Sequence, residues 1–273
     1  MLKPDIFHLN FSIRLSMGIE LTISGFVVGL LVGLTGVGGG SLMTPLLVLL
    51  FKVNPAVAIG TDLIYASITK SAGVISHNKL GHIKWGIVGK LMLGSIPASL
   101  ITTLFLKQIN LKSPEVIGII ELSLGIALIL TAVAVLYQPI IVEKSKHNKI
   151  RTPRHTAILT FALGLILGAM VTLTSVGAGA LGVTALLLLY PKMTVKSIIG
   201  TDIAHAVPIT FFAGLGHYNL GHVDFVLLSS LLIGSIPGIW TGSFLSAKIN
   251  ENKLRLILVF ILFAIGLKLI INT

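Results

Sequence analysis

Ala56–Ser76, Trp85–Leu106, Val116–Leu136, Phe225–Ala247 and Leu254–Ile271 are each long and apolar enough to cross a bilayer. Crossing takes about 20 predominantly apolar residues. Hydrophobic residues make up 54% of the chain and charged residues 11%, with a mean hydropathy of +1.00. A soluble domain carries about 25% charged residues, and half that number cannot cover a globular surface with polar atoms. These runs therefore predict an all-α polytopic membrane protein.

The net charge of +11 belongs mostly to lysines and arginines in short loops, the pattern of an inner-leaflet bias. It is not a nucleic-acid footprint. The chain has no cysteine, which excludes disulfides, thiolate metal sites and cysteine catalysis. Met1–Glu20 shows no small-residue cleavage site after a short apolar core, so no removable signal peptide is expected. Asp5, Arg14 and Glu20 alternate there with Ile6, Phe7 and Phe11, as in an interfacial lead-in.

The chain is internally duplicated. "AIGTD" at Ala58–Asp62 returns as "IIGTD" at Ile198–Asp202, "HNKLGHI" at His77–Ile83 as "HYNLGHV" at His217–Val223, and "GSIP" at Gly94–Pro97 as "GSIP" at Gly234–Pro237, all 140 positions apart. The glycine loop "TGVGGGSL" at Thr35–Leu42 matches "TSVGAGAL" at Thr174–Leu181, shifted by one residue. Each half then reads as an apolar helix, a small-residue loop, a short helix of about 14 residues by periodicity and three long helices. The expectation is one transmembrane domain, with repeat 1 at 21–137, a basic connector at 138–155 and repeat 2 at 156–272.

Charge counting orients the halves. If each glycine loop interrupts one crossing, the repeats are parallel, and basic loop residues divide roughly 10 inside to 8 outside. If each loop is a turn in a hairpin or re-entrant pair, the repeats are inverted and the division is roughly 12 to 6. Lys79 and Lys84 flank the first histidine loop and have no counterpart in the second, which places the two loops on opposite sides. Inverted repeats with paired glycine-interrupted short segments are the sequence sign of a secondary transporter, and the interruptions mark its substrate site. Half-helix N-termini there offer free N–H donors and partial positive charge, which suits an anion.

The candidate substrate ligands are the loop residues Thr35, Gly36, Gly38, Gly39, Gly40, Ser41, Thr174, Ser175, Gly177 and Gly179, through backbone N–H groups and hydroxyls. Packing of small residues between helices is the competing reading. No Lys-Ser/Thr follows the loop and no strand precedes it, so it is not a nucleotide cradle. Asn54-Pro55 reads as an N-cap with Pro at the first helical position, placing Asp62 about 10 Å along its helix. Asp62 and Asp202 are candidates for proton relay or cation coupling, or for capping a neighbouring half-helix. Thr61 and Thr201 stand beside them as substrate ligands or packing residues. Lys70 is a candidate counter-charge for an anion, against snorkelling, and its repeat mate is Thr210. His205 pairs with Tyr65, as a donor to substrate or relay or as a satisfied buried residue. His77, His82, His217 and His222 read as interfacial, since no carboxylate or cysteine completes a ligand set. Pro97 and Pro237 are candidate helix breaks or hinges.

With these motifs in order, the chain resembles the sulfite exporter TauE/SafE family, also called the toluene sulfonate uptake permease family. The resemblance is carried by "GLLVGLTGVGGGSLMTPLL" (Gly29–Leu47), "AIGTDL" (Ala58–Leu63), "GHIKW" (Gly81–Trp85), "GSIPAS" (Gly94–Ser99) and the second-half echoes "IIGTDIAHA" and "GSIPG". It implies a cytoplasmic-membrane permease of bacterial or archaeal type for small sulfur-containing anions such as sulfite or sulfonates. Gly36–Ser41, Thr61, Asp62, Ser175–Gly179, Thr201 and Asp202 would line its path. The second loop departs from the first by Ala178 and Ala180, so two equivalent sites are not implied.

The expected function is a secondary carrier of a small oxyanion, proton-coupled through Asp62 or Asp202. A passive anion channel is the first rival. An intramembrane enzyme is the second, disfavoured because no metal triad or nucleophile–base pair emerges. No cofactor, metal, catalytic residue or nucleic-acid partner is expected. The expected partners are the anion, the bilayer of the cell membrane with the connector on its cytoplasmic side, and a second copy in a homodimer.

Overall fold

A computed structural model describes residues 19–31, 33–34, 40–111, 113–145, 152–246 and 251–272. Those residues form helices α1 (Ile19–Leu31), α2 (Gly40–Leu49), α3 (Pro55–Lys79), α4 (Trp85–Gln108), α5 (Pro114–Ser145), α6 (Pro153–Thr174), α7 (Ala180–Leu189), α8 (Val195–Asn219), α9 (Phe225–Ser246) and α10 (Glu251–Asn272). Of the interfacial lead-in read at 1–20, residues 1–18 lie outside the described residues and the last two open α1; connector positions 146–151 also lie outside them. The first part of the connector is the end of α5, which runs on to Ser145.

The duplication governs the helix starts. Gly40 and Ala180, Pro55 and Val195, and Trp85 and Phe225 open α2 and α7, α3 and α8, and α4 and α9, each pair 140 residues apart. Local chemistry sets those starts. The Asn54 side chain accepts the Ala56 N–H at 2.9 Å, with Pro55 at the first helical position. Thr194 caps α8 by accepting from Ser197 N–H at 3.2 Å, and Asp224 Oδ1 caps α9 by accepting from Val226 N–H at 2.9 Å and Leu227 N–H at 3.0 Å.

Among the described residues α4, α5, α6, α8, α9 and α10 are long and apolar enough to cross a membrane. Helix α3, expected above as a spanning segment, has the length at 25 residues but is too polar to join them. Its Thr61, Asp62 and Ser67 turn inward and are buried, so protein rather than lipid surrounds them. The short helices α2 and α7 have 10 residues each, fewer than the periodicity suggested. That is a rise of about 15 Å, half of a hydrocarbon core of roughly 30 Å.

Helix α7 folds back along α6. A Cβ at Gly182, near the start of α7, would sit 3.6 Å from the Leu167 side chain, while Tyr190 Oη at its end lies 2.7 Å from Thr160 Oγ1. Positions that rise along α7 thus meet positions that fall along α6. The turn between them needs the left-handed backbone of Ser175 (φ 59°), Gly177 (φ 127°) and Gly179 (φ 133°). The second glycine loop is the tip of a helical hairpin.

The halves meet on α3 and α8. A Cβ on Gly60 would strike the His222 carbonyl and His217 Cβ, and one on Gly200 would strike His77 and His82. Midway, Ser67 Oγ donates to the Val207 carbonyl at 3.4 Å. The start of each helix therefore lies against the end of the other, so these repeat mates run antiparallel. Helices α4 and α9 pack by the same exchange. Gly94 sits against the Phe161 carbonyl of α6 and Gly234 against the Thr22 carbonyl of α1. The glycine of each GSIP motif is there to let two backbones touch. The helix break expected at Pro97 and Pro237 is absent, since α4 and α9 run through both prolines. Each proline removes one N–H, and the flanking turns hold the helix together.

Substituting Gly94 by Val forces a side chain into the α6 backbone, an overpacking cost of about 1–3 kcal/mol. Gly86 has nothing within 4 Å of its Cβ position. Thermal unfolding of the purified protein in detergent is expected to fall by several degrees for Gly94→Val and not to fall for Gly86→Ala. Equal melting of the two variants would contradict the packing described.

Candidate functional site

The hairpin tip, residues 175–179, lies among the buried polar groups of α3 and α8. Lys70 Nζ, on the middle of α3, donates to the Ala178 carbonyl of the tip at 3.0 Å. That half-buried ammonium lies within electrostatic reach of both Asp62 and Asp202. A cation reaching this depth needs such partners, because leaving it in lipid is costly.

The two aspartates are 0% and 1% exposed and their surroundings differ. Thr44 Oγ1 of α2 donates to Asp62 Oδ2 at 2.6 Å. Asp62 Oδ1 and the nearby Ser175 Oγ have no hydrogen-bond partner. In the second half both oxygens of Asp202 lack a partner, as does Thr184 Oγ1, the repeat mate of Thr44. The Gly179 N–H comes near Asp202 without reaching hydrogen-bond geometry. Gly182, in the first turn of α7, leaves room for this carboxylate, since a Cβ there would overlap Asp202 Oδ1. Asp202 thus lies against the N-terminal turn of α7, where the helix carries partial positive charge.

Thr61 and Thr201, read as substrate ligands, have hydroxyls engaged across the pseudo-symmetry. Asp224 N–H donates to Thr61 Oγ1 and Lys84 N–H donates to Thr201 Oγ1, both at 3.1 Å. Each threonine holds the residue that opens the other half's fourth helix. Thr174 is likewise engaged locally, donating to the Met170 carbonyl at 2.7 Å and accepting from Val176 N–H at 3.1 Å. His205 Nε2 lies 2.9 Å from Ser95 Oγ, and its mate Tyr65 lies close to Ser235. Ser95 and Ser235, both 0% exposed, belong to the GSIP motifs and were passed over in the sequence for their prolines. Thr44 was passed over too. A polar side chain one motif away from each aspartate, returning at the repeat offset, was the available signal.

His217 is buried, not interfacial. It is 2% exposed, and its Nε2 lies 2.9 Å from the Thr172 carbonyl. It fills the space that Gly60 leaves open, which explains the depth. Among the described residues no group of three His, Cys, Asp or Glu is placed to hold a metal. Thr35, Gly36, Gly38 and Gly39 lie outside the described residues, and of the first loop only Gly40 and Ser41 appear, as the opening turn of α2.

The threonine bonds are directly testable. Losing one neutral hydrogen bond costs about 1 kcal/mol, which is on the order of fivefold in an opening equilibrium. Amide exchange at Lys84 is expected to accelerate by about that factor in Thr201→Val, and at Asp224 in Thr61→Val, with each variant silent at the other site. Acceleration at both amides in both variants would mean general loosening rather than two separate pins.

The family model described as Sulfite exporter TauE/SafE matches residues 21–269. The "Probable membrane transporter protein YjnA" of Bacillus subtilis (strain 168) is 39% identical over 93% of this chain and 100% of its own length. A probable membrane transporter protein of Methanocaldococcus jannaschii is 28% identical over 96% of this chain and 98% of its own. The "Probable membrane transporter protein YunE" of B. subtilis is 28% identical over 92% and 96%. No solved structure matches the chain.

Proposed function

The chain belongs to the sulfite exporter TauE/SafE family of membrane transporters, and from that premise we propose that it is a secondary carrier of a small sulfur-containing oxyanion, coupled to protons. It is a transporter and not an enzyme. The observation that carries the reading is the convergence of one lysine and two buried aspartates on the tip of a helical hairpin. Lys70 and the N-terminal turn of α7 supply positive potential for an anion. Gly177 and Gly179 keep the tip backbone bare, and Ser175 Oγ stands beside Asp62 without reaching hydrogen-bond geometry.

Coupling follows from charge. Asp202 occupies the end of α7 that would attract the substrate, and two anions cannot share that place without strong repulsion. A proton on Asp202 removes the repulsion, so proton and anion load together. Asp202 is assigned this role over Asp62 because neither of its oxygens is engaged, whereas Asp62 is held by Thr44. His205, one turn along α8 from Asp202 and bonded to Ser95, continues the polar path. The antiparallel packing of α3 on α8, and of α7 on α6, supports inverted repeats in the bilayer, with the basic connector on the cytoplasmic side. Rocking of one half against the other would then expose the tip to each side in turn.

The experiment is uptake of labelled sulfite and of a simple sulfonate into proteoliposomes, with and without an imposed pH gradient. Wild type is expected to show saturable, gradient-driven flux. Asp202→Asn is expected to keep flux and lose the gradient dependence, while Asp62→Asn lowers the rate and stays gradient-driven. Lys70→Gln is expected to reduce flux at least tenfold, on the scale of a lost charge-assisted contact of about 1.5–3 kcal/mol. Non-saturating flux indifferent to pH in all four proteins would favour a passive anion channel instead.

A further inference from the structure

A cavity of about 280 Å³ opens at the far end of the hairpin from the tip. Lys90 of α4, Thr156 of α6, and Leu189, Tyr190, Lys192 and Met193 at the turn from α7 into α8 line it. The contact between Tyr190 Oη and Thr160 Oγ1 at 2.7 Å ties the end of α7 to α6 and holds two of its walls together. The lining carries two ammonium groups and no carboxylate. Arg154 and Lys196 lie close by in the chain and are exposed. Apart from these polar groups, the walls are apolar.

The helix surface beside the cavity is apolar. Ile158, Leu188 and Val195, on the helix turns beside it, are large apolar residues at 58%, 41% and 38% exposure, as suits contact with acyl chains. A ligand that fits must therefore be an amphiphile, anionic where the lysines stand and apolar beside them. The volume is slightly below that of ordinary small-molecule pockets, roughly 300–1,000 Å³, enough for a headgroup and the first part of a chain. The duplication makes the feature specific. At the repeat-mate positions Ser230 stands for Lys90 and Leu50 for Tyr190, so the other half lacks one of the charges and the phenol that braces α6.

We propose that this cavity binds the headgroup of an anionic phospholipid, with Lys90 and Lys192 on its phosphate and the apolar wall on its glycerol and acyl carbons. Under the topology proposed above, which the binding itself does not require, the site faces the inner leaflet, where anionic lipid and basic pockets between helices meet. A lipid seated here braces α4, α6 and the α7–α8 turn, the three elements that bound the open end of the hairpin.

The test is native mass spectrometry of the full chain in detergent, titrated with phosphatidylglycerol or with phosphatidylcholine of the same acyl chains. Wild type is expected to retain phosphatidylglycerol on the order of tenfold more strongly. The double variant Lys90→Gln, Lys192→Gln is expected to lose that preference, and Lys90→Arg, Lys192→Arg to keep it. Thr156→Phe, which fills the cavity and keeps both lysines, is expected to lose retention. Thermal melts of each variant separate loss of the site from loss of the fold. Equal retention of the two lipids by wild type overturns the proposal, as does unchanged retention in the glutamine variant. Retention that survives Thr156→Phe means diffuse surface charge and overturns it as well. Displacement of the lipid by glycerol 3-phosphate or inorganic phosphate at comparable concentration would assign the cavity to a soluble anion instead. Transport is read in none of these arms, so failure here leaves the carrier reading standing.

Discussion

The antiparallel contact of α3 on α8 is the constraint on which the rest of the molecule depends. The facing sides of these helices carry polar groups that lie together inside the protein, and Ser67, Thr61 and Thr201 find their partners on the other half. Gly60 and Gly200 make the contact close enough, because any side chain there would strike the histidine-bearing ends opposite. Once the helices are that near, Thr61 and Thr201 reach the backbones that open α9 and α4. The fourth helix of each half is in this way held by the third helix of the other. Separation of the halves would expose several buried polar groups at once, a cost that hydrocarbon does not offset.

Charge is concentrated where backbone is irregular. The tip of the second hairpin has a bare glycine backbone, a half-buried bonded lysine and a buried aspartate without hydrogen bonds. Ordinary globular packing would remove such an arrangement, since a buried unpaired carboxylate is strongly destabilising. It persists because the neighbouring helices fix it in place, and under the carrier function proposed above a site that loads and unloads charge has to be left incomplete. The lysine bonded to a carbonyl, rather than to either aspartate, leaves its electrostatic attraction available to a third group.

Duplication supplied the scaffold and divergence supplied the polarity. Thr44 engages Asp62 while its mate Thr184 engages nothing. Tyr65 stands where the other half has His205, and Lys70 where it has Thr210, whose hydroxyl merely returns to its own helix at 2.8 Å. Lys90 and Ser230 divide the two ends of the molecule in the same way. A pair of identical halves would bind identically from both sides. These differences fall at Lys70, Lys90 and His205, and not at Gly60 and Gly200 or Gly94 and Gly234, the contact glycines that the two halves share.

Four of the membrane-length helices, α4, α5, α9 and α10, and the repeat with its offset were legible in the amino-acid sequence, because apolar length and motif spacing are one-dimensional properties. Helix α3 was read as a span although it is too polar, and α6 and α8 were not among the spans read. The cap at Asn54 was equally readable, since its partner is two residues away. The sequence could also point to Asp62, Asp202 and Lys70, because charges stand out against an apolar run. What those charges touch was settled only by tertiary structure. The distances that separate Thr61 as a pin from Thr61 as a ligand, and that bury His217 at a helix end, join residues more than 40 positions apart. Nor can a motif say that its proline is tolerated while its serine and glycine make the contacts, as in GSIP. The difference lies in physics. Hydropathy acts on each segment separately and survives in the sequence, whereas the partner of a polar group depends on which backbones approach, and that is decided by the crossing of α3 and α8.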